Sequence, residues 1–574
     1  MTLMEAQDPF LAFGPLPDQV NMAQLLPQSA SKHPERDALL EQGSGPVASW
    51  RRVSYAELEA RACAIARGLA QRGVRHGDRI CLFVKPGIEL IAITYALFKL
   101  GAVPVLADPG MGRKSLLNVV RRMRPRVFIG VPMAHAVRLA FRSAFASVEL
   151  AITVGRRVFW GGPTLAQVER GSDDALDLAG TKAEDTAAIL FTSGSTGPPK
   201  GVVYTHGMFH AQVLALQALY GFESGAIDLA CFPLFALFDV AFGMTTAIPD
   251  MDASHPGRCD PAKIVRALQE TGASTSFGSP AIWRRVVPHC IQNDIQLSSL
   301  KRVLIAGAPI PRSLVEQFHR VLPADGDVHT PYGATESLPV SSISGREILE
   351  VGERTRNGGG TCVGKAASGI DMRLIEISDE VHANWSDARV VQNGELGEVC
   401  VRGPVVTHSY AEDAAATAAA KMRPVASESG LWHRMGDIAS VDVAGRLWIA
   451  GRKAHRLTTP QGARLPVPTE NVYNEHAAVF RSALVGVGLT GHERPYLIIE
   501  CEAGQLPSSH EAEQALFREL DALGAAASED VHVEGYLIHS GFPVDVRHNA
   551  KIHREELKAW AEAQLAINGE GGAL

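Results

Sequence analysis

A stretch of Ser, Thr and Gly residues between an apolar run and a lysine carries most of the chemistry that this sequence suggests. It contains Thr192, Ser193, Gly194, Ser195, Thr196, Gly197 and, after two prolines, Lys200. Glycines let the backbone approach a ligand, and successive N–H groups in such a turn can form an anion-binding nest. Hydroxyl groups and one ammonium group add donors that suit a polyphosphate. The stretch therefore predicts a phosphate-binding loop.

Two alternatives for this loop can be weighed from the residues alone. A Walker A loop requires a glycine, four residues and then Gly-Lys, but Pro199 stands where the second glycine would follow Gly194. The chain is therefore not a P-loop NTPase. A flexible linker is the other alternative, and the β-prone runs 186–191 and 202–204 on either side argue against it.

Further short motifs with polar or glycine residues follow in order along the chain. They are Ala306-Gly307-Ala308-Pro309, Tyr332-Gly333-Ala334-Thr335-Glu336, His433-Arg434-Met435-Gly436-Asp437, Gly451-Arg452 and Asn549-Ala550-Lys551. Each motif taken alone is typical of an ordinary turn. Their order and spacing must therefore carry any functional inference.

The elements around these motifs indicate an α/β fold. Residues 54–72 have a capping-box start and helical periodicity, and a strand at 79–84, a helix at 89–100 and a strand at 103–107 follow. The same alternation recurs at 260–282, 300–306 and 312–322, which predicts layered α/β structure.

Two later regions depart from this alternation. Residues 342–360 are polar and rich in glycine, which predicts a long loop, whereas 362–450 contain short strand-like runs that predict a β-rich subdomain. A boundary is expected near Gly451. We therefore predict a large N-terminal domain at 1–451 and a small α+β C-terminal domain at 452–574.

Composition restricts the class of protein. With 574 residues the chain should hold more than one domain, and its net charge of −7 argues against a nucleic-acid partner. Eight scattered cysteines without a Cys-x-x-Cys pair suggest neither zinc nor disulfides, and no signal peptide is apparent, so a cytoplasmic location is expected. The apolar run 229–249 contains Asp239, Pro233 and Gly243, which favours buried core or the lining of an apolar pocket over a membrane helix.

Taken together and in this order, the motifs resemble those of the adenylate-forming superfamily of acyl-CoA synthetases, luciferases and peptide-synthetase adenylation domains. The resemblance extends from about residue 30 to residue 560. It implies a large N-terminal domain that binds ATP and a carboxylic acid, and a small C-terminal lid domain that rotates over it. The implied first reaction joins the acid to AMP and releases pyrophosphate.

The resemblance also implies a role for each motif. The loop from Thr192 to Lys200 would hold the β- and γ-phosphates of ATP. Residues Gly307, Ala308 and Pro309 would pack on the adenine, with Tyr332 and Gly333 on its other face. Thr335 would contact the α-phosphate, Glu336 would bind Mg²⁺, and Asp437 and Arg452 would bind the ribose. Lys551 would reach the acid carboxylate and the α-phosphate, where negative charge develops.

Two positions depart from the family pattern. The family's Pro-Leu-Phe-His segment reads Pro233-Leu234-Phe235-Ala236 here, and the charged hinge residue after Gly451-Arg452 is Ala454. A later arginine of the family is present as Arg464. Because both changes remove groups that serve the family's external thiol step, formation of a CoA thioester is in doubt, although neutral drift is the alternative.

Three segments look like the β-lactone synthetases of bacterial long-chain olefin biosynthesis: 332–343, 344–360 and 547–554. This resemblance implies a 2-alkyl-3-hydroxyalkanoic acid with two long chains, whose own 3-hydroxyl attacks the activated carbonyl. His548 and His553 flank Lys551 and are candidate bases or inert surface residues. The resemblance allows assembly with other enzymes of the olefin pathway. The alternatives are a long-chain fatty acyl-CoA ligase and an inactive ATP-binding sensor.

Overall fold

The computed structural model describes residues 8–43, 45, 49–107, 109–170, 177–192, 199–527, 531–544 and 552–567. The strands are β1 (Asp37–Gln42), β2 (Trp50–Ser54), β3 (Arg79–Phe83), β4 (Val103–Ala107), β5 (Val127–Gly130), β6 (Leu150–Thr153), β7 (Thr186–Thr192), β8 (Lys200–Thr205), β9 (Ile227–Ala230), β10 (Thr245–Ile248), β11 (Thr275–Gly278), β12 (Arg302–Ile305), β13 (Asp327–Ala334), β14 (Ser337–Ser344), β15 (Thr361–Cys362), β16 (Lys365–Ala366), β17 (Asp371–Ile375), β18 (Gly397–Arg402), β19 (Lys421–Met422), β20 (Trp432–Val441), β21 (Leu447–Arg452), β22 (Leu457–Thr459), β23 (Gly462–Arg464), β24 (Val479–Val487), β25 (Arg494–Cys501) and β26 (Gly535–Ile538).

The α-helices of the same residues are α1 (Leu25–Lys32), α2 (Tyr55–Gln71), α3 (Ile88–Lys99), α4 (Arg113–Met123), α5 (Pro132–Ala140), α6 (Leu165–Glu169), α7 (His206–Tyr220), α8 (Ala236–Phe242), α9 (Pro261–Thr271), α10 (Pro280–Gln292), α11 (Arg312–Val321), α12 (Gly345–Arg356), α13 (Ala414–Ala420), α14 (Pro466–Tyr473), α15 (His510–Ala525) and α16 (Arg554–Ile567). None of these described helices is long and apolar enough to cross a lipid bilayer.

A nine-stranded sheet forms one layer, in the order β16-β14-β13-β12-β11-β9-β10-β1-β2. Its centre, from β13 to β1, is parallel, and the pairs at both edges are antiparallel. Because parallel strands end at one edge of a sheet, the segments that follow β9, β11, β12 and β13 lie along the same edge. Ligands of open α/β sheets bind in the crevice at such an edge.

A six-stranded sheet, in the order β6-β5-β3-β4-β7-β8, forms the second layer. It is parallel except for the β7–β8 hairpin, in which Thr192 pairs with Lys200 across the predicted phosphate loop. The largest apolar core joins β1 and β3 of the two sheets to α2, α3, α7 and α8. The predicted α/β layering is therefore confirmed.

An antiparallel sheet in the order β15-β21-β20-β18-β17, with β19 paired to β20, lies in the region 361–452. This confirms the predicted β-rich subdomain. Beyond it, β24, β25 and β26 form a three-stranded sheet accompanied by α14, α15 and α16. The division into domains at 1–451 and 452–574, and the motion of the second over the first, stay predictions.

Local sequence explains most element boundaries. Helix α2 begins with a capping box in which Ser54 and Glu57 exchange hydrogen bonds, and β3, α3 and β4 lie within one residue of their predicted ends. The prediction of a long loop at 342–360 is wrong. There Ser344 and Glu347 form another capping box and start α12. The fully buried residues of α12 are Gly345 and Gly352, and Ile348, Leu349 and Val351 pack only partly buried against the core, so polar and glycine residues dominate its sequence.

Two carboxyl groups, one on β9 and one on α8, are buried together. Asp228 of β9 and Asp239 of α8 are both fully buried, and the Thr246 hydroxyl donates to Asp239 over 3.0 Å. Burial raises the pKa of Asp228 from 3.8 to about 7, and it also raises the pKa of Asp239, together with repulsion from Asp228. The pair therefore retains a proton at pH values where exposed aspartates have lost theirs.

Candidate active site

The hairpin between β13 and β14 places the central residues of the site. Ala334 pairs with Ser337, so Thr335 and Glu336 form a two-residue turn at the crevice edge of the large sheet. Gly333 is required at its position because a Cβ there would approach the Ser337 carbonyl to 2.5 Å. Gly307 follows β12 at the same edge with φ +95°, a conformation that favours glycine. Of the two predicted adenine-binding segments, 307–309 therefore follows β12, and 332–333 lies near the end of the neighbouring strand β13.

Tyr332 connects this hairpin to the antiparallel sheet. Its hydroxyl donates to Asp437 Oδ2 over 2.7 Å, and Arg452 Nε lies 3.3 Å from Asp437 Oδ1. Asp437 on β20 and Arg452 on β21 face each other in strand register. Burial raises the pKa of Asp437 and Arg452 opposes this, while Asp437 in turn raises the pKa of Arg452. The two residues that the sequence assigned to the ribose thus form one ion pair beside Tyr332.

The segment 406–411 joins the hairpin turn to the smaller of the two α/β sheets. Tyr410 forms a β-bridge with Val202, and Val406 forms one with Ser337. The Tyr410 hydroxyl donates to Glu336 Oε1 over 2.6 Å, and Lys200 Nζ lies 5.1 Å from the centre of the Tyr410 ring. Tyr204 of β8 also donates to the Thr335 carbonyl. Tyr410 therefore lies next to both Lys200, over its ring, and Glu336, at its hydroxyl, although these two residues are far apart in sequence.

A buried lysine is linked to Glu336 through Thr407. Thr407 donates its backbone N–H and its hydroxyl to the Glu336 carbonyl over 2.9 and 3.1 Å, and Lys421 Nζ donates to Thr407 Oγ1 over 3.3 Å. Burial lowers the pKa of Lys421 to about 7, with Glu336 acting in the opposite direction. Burial and the charge of Lys421 lower the pKa of His433, which faces Lys421 across the β19–β20 pair.

An apolar cavity of about 1470 Å³ reaches this site, and Thr335 is one of its lining residues. Two separate clusters of side chains form much of its wall. The β5 cluster consists of Phe83, Leu117, Val120, Phe128, Val137 and Phe145, and the β11 cluster consists of Leu216, Tyr220, Phe232, Phe235, Phe277 and Leu304. The volume exceeds the 300–1,000 Å³ or so that is usual for small-ligand pockets. The cavity can therefore hold a large apolar molecule with its polar end at Thr335.

The apolar run 229–249 contributes to this cavity and to the core. Phe232, Phe235 and Phe238 line the cavity, whereas Ala236 and Val240 are fully buried in the main core. Phe235 stacks on Phe277 with ring centres 4.5 Å apart. Some residues of this run therefore line an apolar pocket and others are buried core, the two interpretations that the sequence allowed. The predicted pocket lining is found on the 3₁₀ turn before α8 and on the helix itself.

Comparison with known proteins agrees with this geometry. The family model of AMP-binding enzymes matches residues 26–411. The chain is a member of this family. The predicted membership of the adenylate-forming enzymes is thereby confirmed, and the first predicted half-reaction, in which ATP and an acid give an acyl adenylate, is the chemistry of that family.

Individual relatives extend this result. Olefin β-lactone synthetases of Stenotrophomonas maltophilia strain K279a and Xanthomonas campestris pv. campestris are 44% and 43% identical to the chain; each alignment covers 95% of the chain and 98% of the relative. Among solved structures, an anthranilate CoA ligase in complex with anthranoyl-AMP matches with a TM-score of 0.77 at 20% identity, covering 96% of this chain and 99% of that one. At that identity the structural match shows the fold of the AMP-binding enzymes.

Several predicted residues lie outside the described residues: Ser193, Gly194, Ser195, Thr196, Gly197, His548 and Lys551. The described ends of the phosphate loop are the backbone of Thr192 and the exposed Lys200. Ala308 is half-buried and Pro309 exposed after β12. His553 is half-exposed, with Nδ1 3.5 Å from Glu556 Oε1. The predicted roles of all these residues in ligand binding or proton transfer stay predictions.

The two positions that depart from the family pattern have different surroundings. Ala236 is fully buried at the start of α8, whereas Ala454 is exposed in the turn after β21. Next to Ala454, Lys453 Nζ donates to Glu398 Oε2 over 3.0 Å and to the Ser378 carbonyl over 2.8 Å. The turn after β21 is therefore tied to β18 by the neighbouring lysine.

The sequence did not reveal Tyr204, Thr407, Tyr410 and Lys421. Each is a single residue without a motif, and each reaches the site through pairing between segments that are distant in sequence. A pattern search along the chain has no signal for such contacts. These four residues join the predicted Lys200, Tyr332, Thr335, Glu336, Asp437 and Arg452 in what we call the polar cluster.

Proposed function

We propose that this enzyme activates a long-chain 2-alkyl-3-hydroxyalkanoic acid with ATP and converts it to a β-lactone. In the first step the acid carboxylate attacks the α-phosphorus, and pyrophosphate leaves. In the second step the oxygen of the substrate's own 3-hydroxyl attacks the acyl carbon, its proton is released, and the bond to AMP breaks. The products are a β-lactone, AMP and pyrophosphate.

The observation that carries this proposal is the apolar cavity that reaches Thr335. Its two clusters of lining residues, on opposite α/β sheets, suit an acid with two alkyl chains better than one with a single chain. Burial of each chain would contribute roughly 0.8 kcal/mol per methylene group. The acid head would then lie at the turn that carries Thr335 and Glu336.

The identity to olefin β-lactone synthetases supports the second step. Because the alignments extend over 95% of the chain, they include the segments 332–343 and 344–360 that motivated the interpretation. An internal hydroxyl needs no channel for CoA, which agrees with alanine at positions 236 and 454. Proximity within one molecule replaces the binding of an external thiol.

The polar cluster fits ATP on chemical grounds. Lys200 offers a cation near the phosphate loop, Tyr332 a ring for the adenine, and the Asp437–Arg452 pair hydrogen-bonding groups for the ribose. We assign Lys551 to the α-phosphate and the acid carboxylate. There an ammonium group would stabilise the charge that develops during adenylation.

Glu336 suits a Mg²⁺ site in which substrate phosphates supply further ligands. Its carboxylate is half-buried, and no group of three His, Cys, Asp or Glu side chains suited to a metal occurs within the described ranges. Mg²⁺ is commonly held by one or two carboxylates together with substrate phosphates. We propose that Glu336 supplies such a ligand, and that the ion, when bound, offsets the negative charge of the phosphates.

The decisive experiment is a product analysis. The purified full-length enzyme receives a synthetic 2-alkyl-3-hydroxy acid, ATP and Mg²⁺, with and without CoA, and products are identified by mass spectrometry and NMR. We expect AMP, pyrophosphate and a compound lighter than the acid by one water, unaffected by CoA. A matched acid without the 3-hydroxyl should stop at bound acyl-AMP or hydrolyse slowly.

The same experiment tests the alternatives. A CoA-dependent thioester with no lactone in its absence would make the enzyme a long-chain acyl-CoA ligase. Absence of acid-dependent ATP–pyrophosphate exchange would indicate an inactive nucleotide sensor. We favour neither, because the relatives at 43–44% identity are β-lactone synthetases and the polar cluster contains groups for chemistry as well as for binding.

A further inference from the structure

Lys421 is a buried cation without a carboxylate partner. Its side chain is 7% exposed, and its Nζ has one hydrogen bond, to Thr407 Oγ1 at 3.3 Å. No carboxylate oxygen in the described part of the chain lies within 4.0 Å of it. By contrast, the buried Lys99 is paired with Glu59 over 2.6 Å. An ammonium group has three donors, so Lys421 retains donors for another acceptor.

The surroundings of Lys421 belong to the nucleotide side of the site. Thr407 ties it to the Glu336 carbonyl, and Glu336 is close enough to favour its charged form. Lys421 faces His433 across the β19–β20 pair, and the charges of Lys421 and Lys200 both lower the pKa of that imidazole. Lys421 is not among the residues that line the apolar cavity, whereas Thr335 is.

Burial of an unpaired charge is costly, and buried charges in proteins are normally paired. No carboxylate of the described residues supplies this counter-charge, and a bound anion would supply it and keep Lys421 protonated. An acid carboxylate held at the mouth of the apolar cavity is the less suitable candidate, because Lys421 does not contribute to that cavity. A phosphate group held near Lys200 and Glu336 is the better candidate.

We propose that Lys421 binds a phosphate oxygen of the nucleotide, as a second fixed cation besides Lys200. This inference rests on the use of ATP in the proposed function, but not on the formation of a lactone. The phosphate could belong to the α-position, which stays in AMP, or to the pyrophosphate that leaves. The chemistry of the contact is the same in both cases, an ammonium donating to a phosphate oxygen.

The test compares Lys421→Met with Lys421→Arg in the full-length protein. Binding of ATP, AMP and pyrophosphate is measured separately by calorimetry without acid. Hydrogen bonds to charged groups contribute enough for Lys421→Met to weaken ATP binding roughly 10- to 100-fold. Lys421→Arg keeps the charge and should recover much of the affinity. Lys301→Met, which removes a surface lysine paired with Asp325, is the matched control and should bind as the wild type.

A thermal-unfolding series shows whether the variant is folded. Without nucleotide, Lys421→Met should melt at or above the wild-type temperature because an uncompensated buried charge is gone. Saturating ATP should raise the wild-type temperature more than that of the variant at the same ATP concentration. A variant that melts lower and gains as much from ATP as the wild type would contradict the proposal.

The three ligands distinguish the two sources of phosphate. Loss of affinity for ATP and pyrophosphate but not for AMP assigns Lys421 to the leaving pyrophosphate, and loss for ATP and AMP assigns it to the α-phosphate. Unchanged affinity for all three, or a change confined to the KM of the acid, overturns the proposal. Since no lactone is measured, failure here leaves the proposed reaction untouched, and a CoA thioester product would leave this result untouched.

Discussion

The polar cluster and the apolar cavity meet at Thr335 but are built by different means. In the cluster, single hydrogen bonds such as Tyr410 to Glu336 and Tyr332 to Asp437 fix the positions of individual atoms. In the cavity, most of the wall consists of apolar side chains, whose packing contacts are not directional. Loss of one atom should therefore be severe in the cluster, whereas the cavity should respond to changes of volume. The predictions below test this difference, from the largest effect to the smallest.

Replacement of Lys551 by alanine should have the largest effect. We expect acyl-adenylate formation to fall on the order of 1000-fold, because the charge that develops at the α-phosphate loses its cation. The second step should be spared, since the attacking hydroxyl is part of the substrate. ATP–pyrophosphate exchange measures the first step, and turnover of a synthetic 3-hydroxyacyl-AMP measures the second. Lys558→Ala, which removes a partner of Glu493, is the control. Failure to turn over the adenylate would place Lys551 in both steps.

Glu336→Gln should follow, with adenylation reduced on the order of 100-fold and a higher Mg²⁺ requirement. The amide keeps the shape of the side chain but lacks the charge that a hard cation prefers. Initial rates across a Mg²⁺ titration give the result, and Glu376→Gln at a surface pair with Arg389 serves as control. An unchanged Mg²⁺ dependence would remove Glu336 from the metal site.

Filling the cavity should change selectivity more than rate. Val137→Trp in the β5 cluster and Leu216→Trp in the β11 cluster should each lower kcat/KM roughly tenfold for acids with two long chains, and less for shorter ones. If each cluster holds one alkyl chain of the substrate, shortening the 2-alkyl chain should restore kcat/KM in one variant. Shortening the chain beyond C3 should restore it in the other. A uniform loss for every acid would instead indicate general damage to the core.

Tyr410→Phe should reduce adenylation less than Glu336→Gln does. It removes the hydroxyl that donates to Glu336 but leaves the ring beside Lys200. We expect a two- to tenfold fall in adenylation, in line with the usual worth of one hydrogen bond. Steady-state kinetics of the two single variants and the double variant give their coupling. Strict additivity would mean that Tyr410 does not act through Glu336.

Asp228→Asn should leave kcat/KM unchanged and alter stability with pH. In the folded protein the Asp228–Asp239 pair keeps protons above pH 3.8, where the unfolded chain loses them, so wild-type stability falls as pH rises from there toward about 7. The amide cannot ionise and escapes this loss. At pH 8 the variant should be more stable than the wild type by an amount on the order of a few kcal/mol, and at pH 5 the advantage should shrink. Urea unfolding at both pH values measures this, and an equal difference at both would contradict it.

The sequence predicted those parts of the molecule that depend on local pattern. The helix α2 follows from its capping box and period, and the turn residues Thr335 and Glu336 follow from one contiguous motif. The helix α12 was missed because polar and glycine residues outnumber its apolar residues Ile348, Leu349 and Val351, although Ser344 and Glu347 carry its start signal. Tyr410 and Lys421 could not be predicted, since Tyr410 depends on pairing of residues 406–411 with two distant sheets and Lys421 on pairing of β19 with β20.

The two-residue turn between β13 and β14 makes this stretch sensitive to its length as well as to its composition. Successive residues of a strand point to opposite faces, so one inserted residue between Tyr332 and Thr335 would turn Tyr332 away from Asp437 or move Glu336 off Tyr410. Substitutions there change one contact each, whereas insertions and deletions would break several at once. Variation among descendants of this gene should therefore preserve the number of residues from 332 to 336 as strictly as the identities of Gly333 and Glu336.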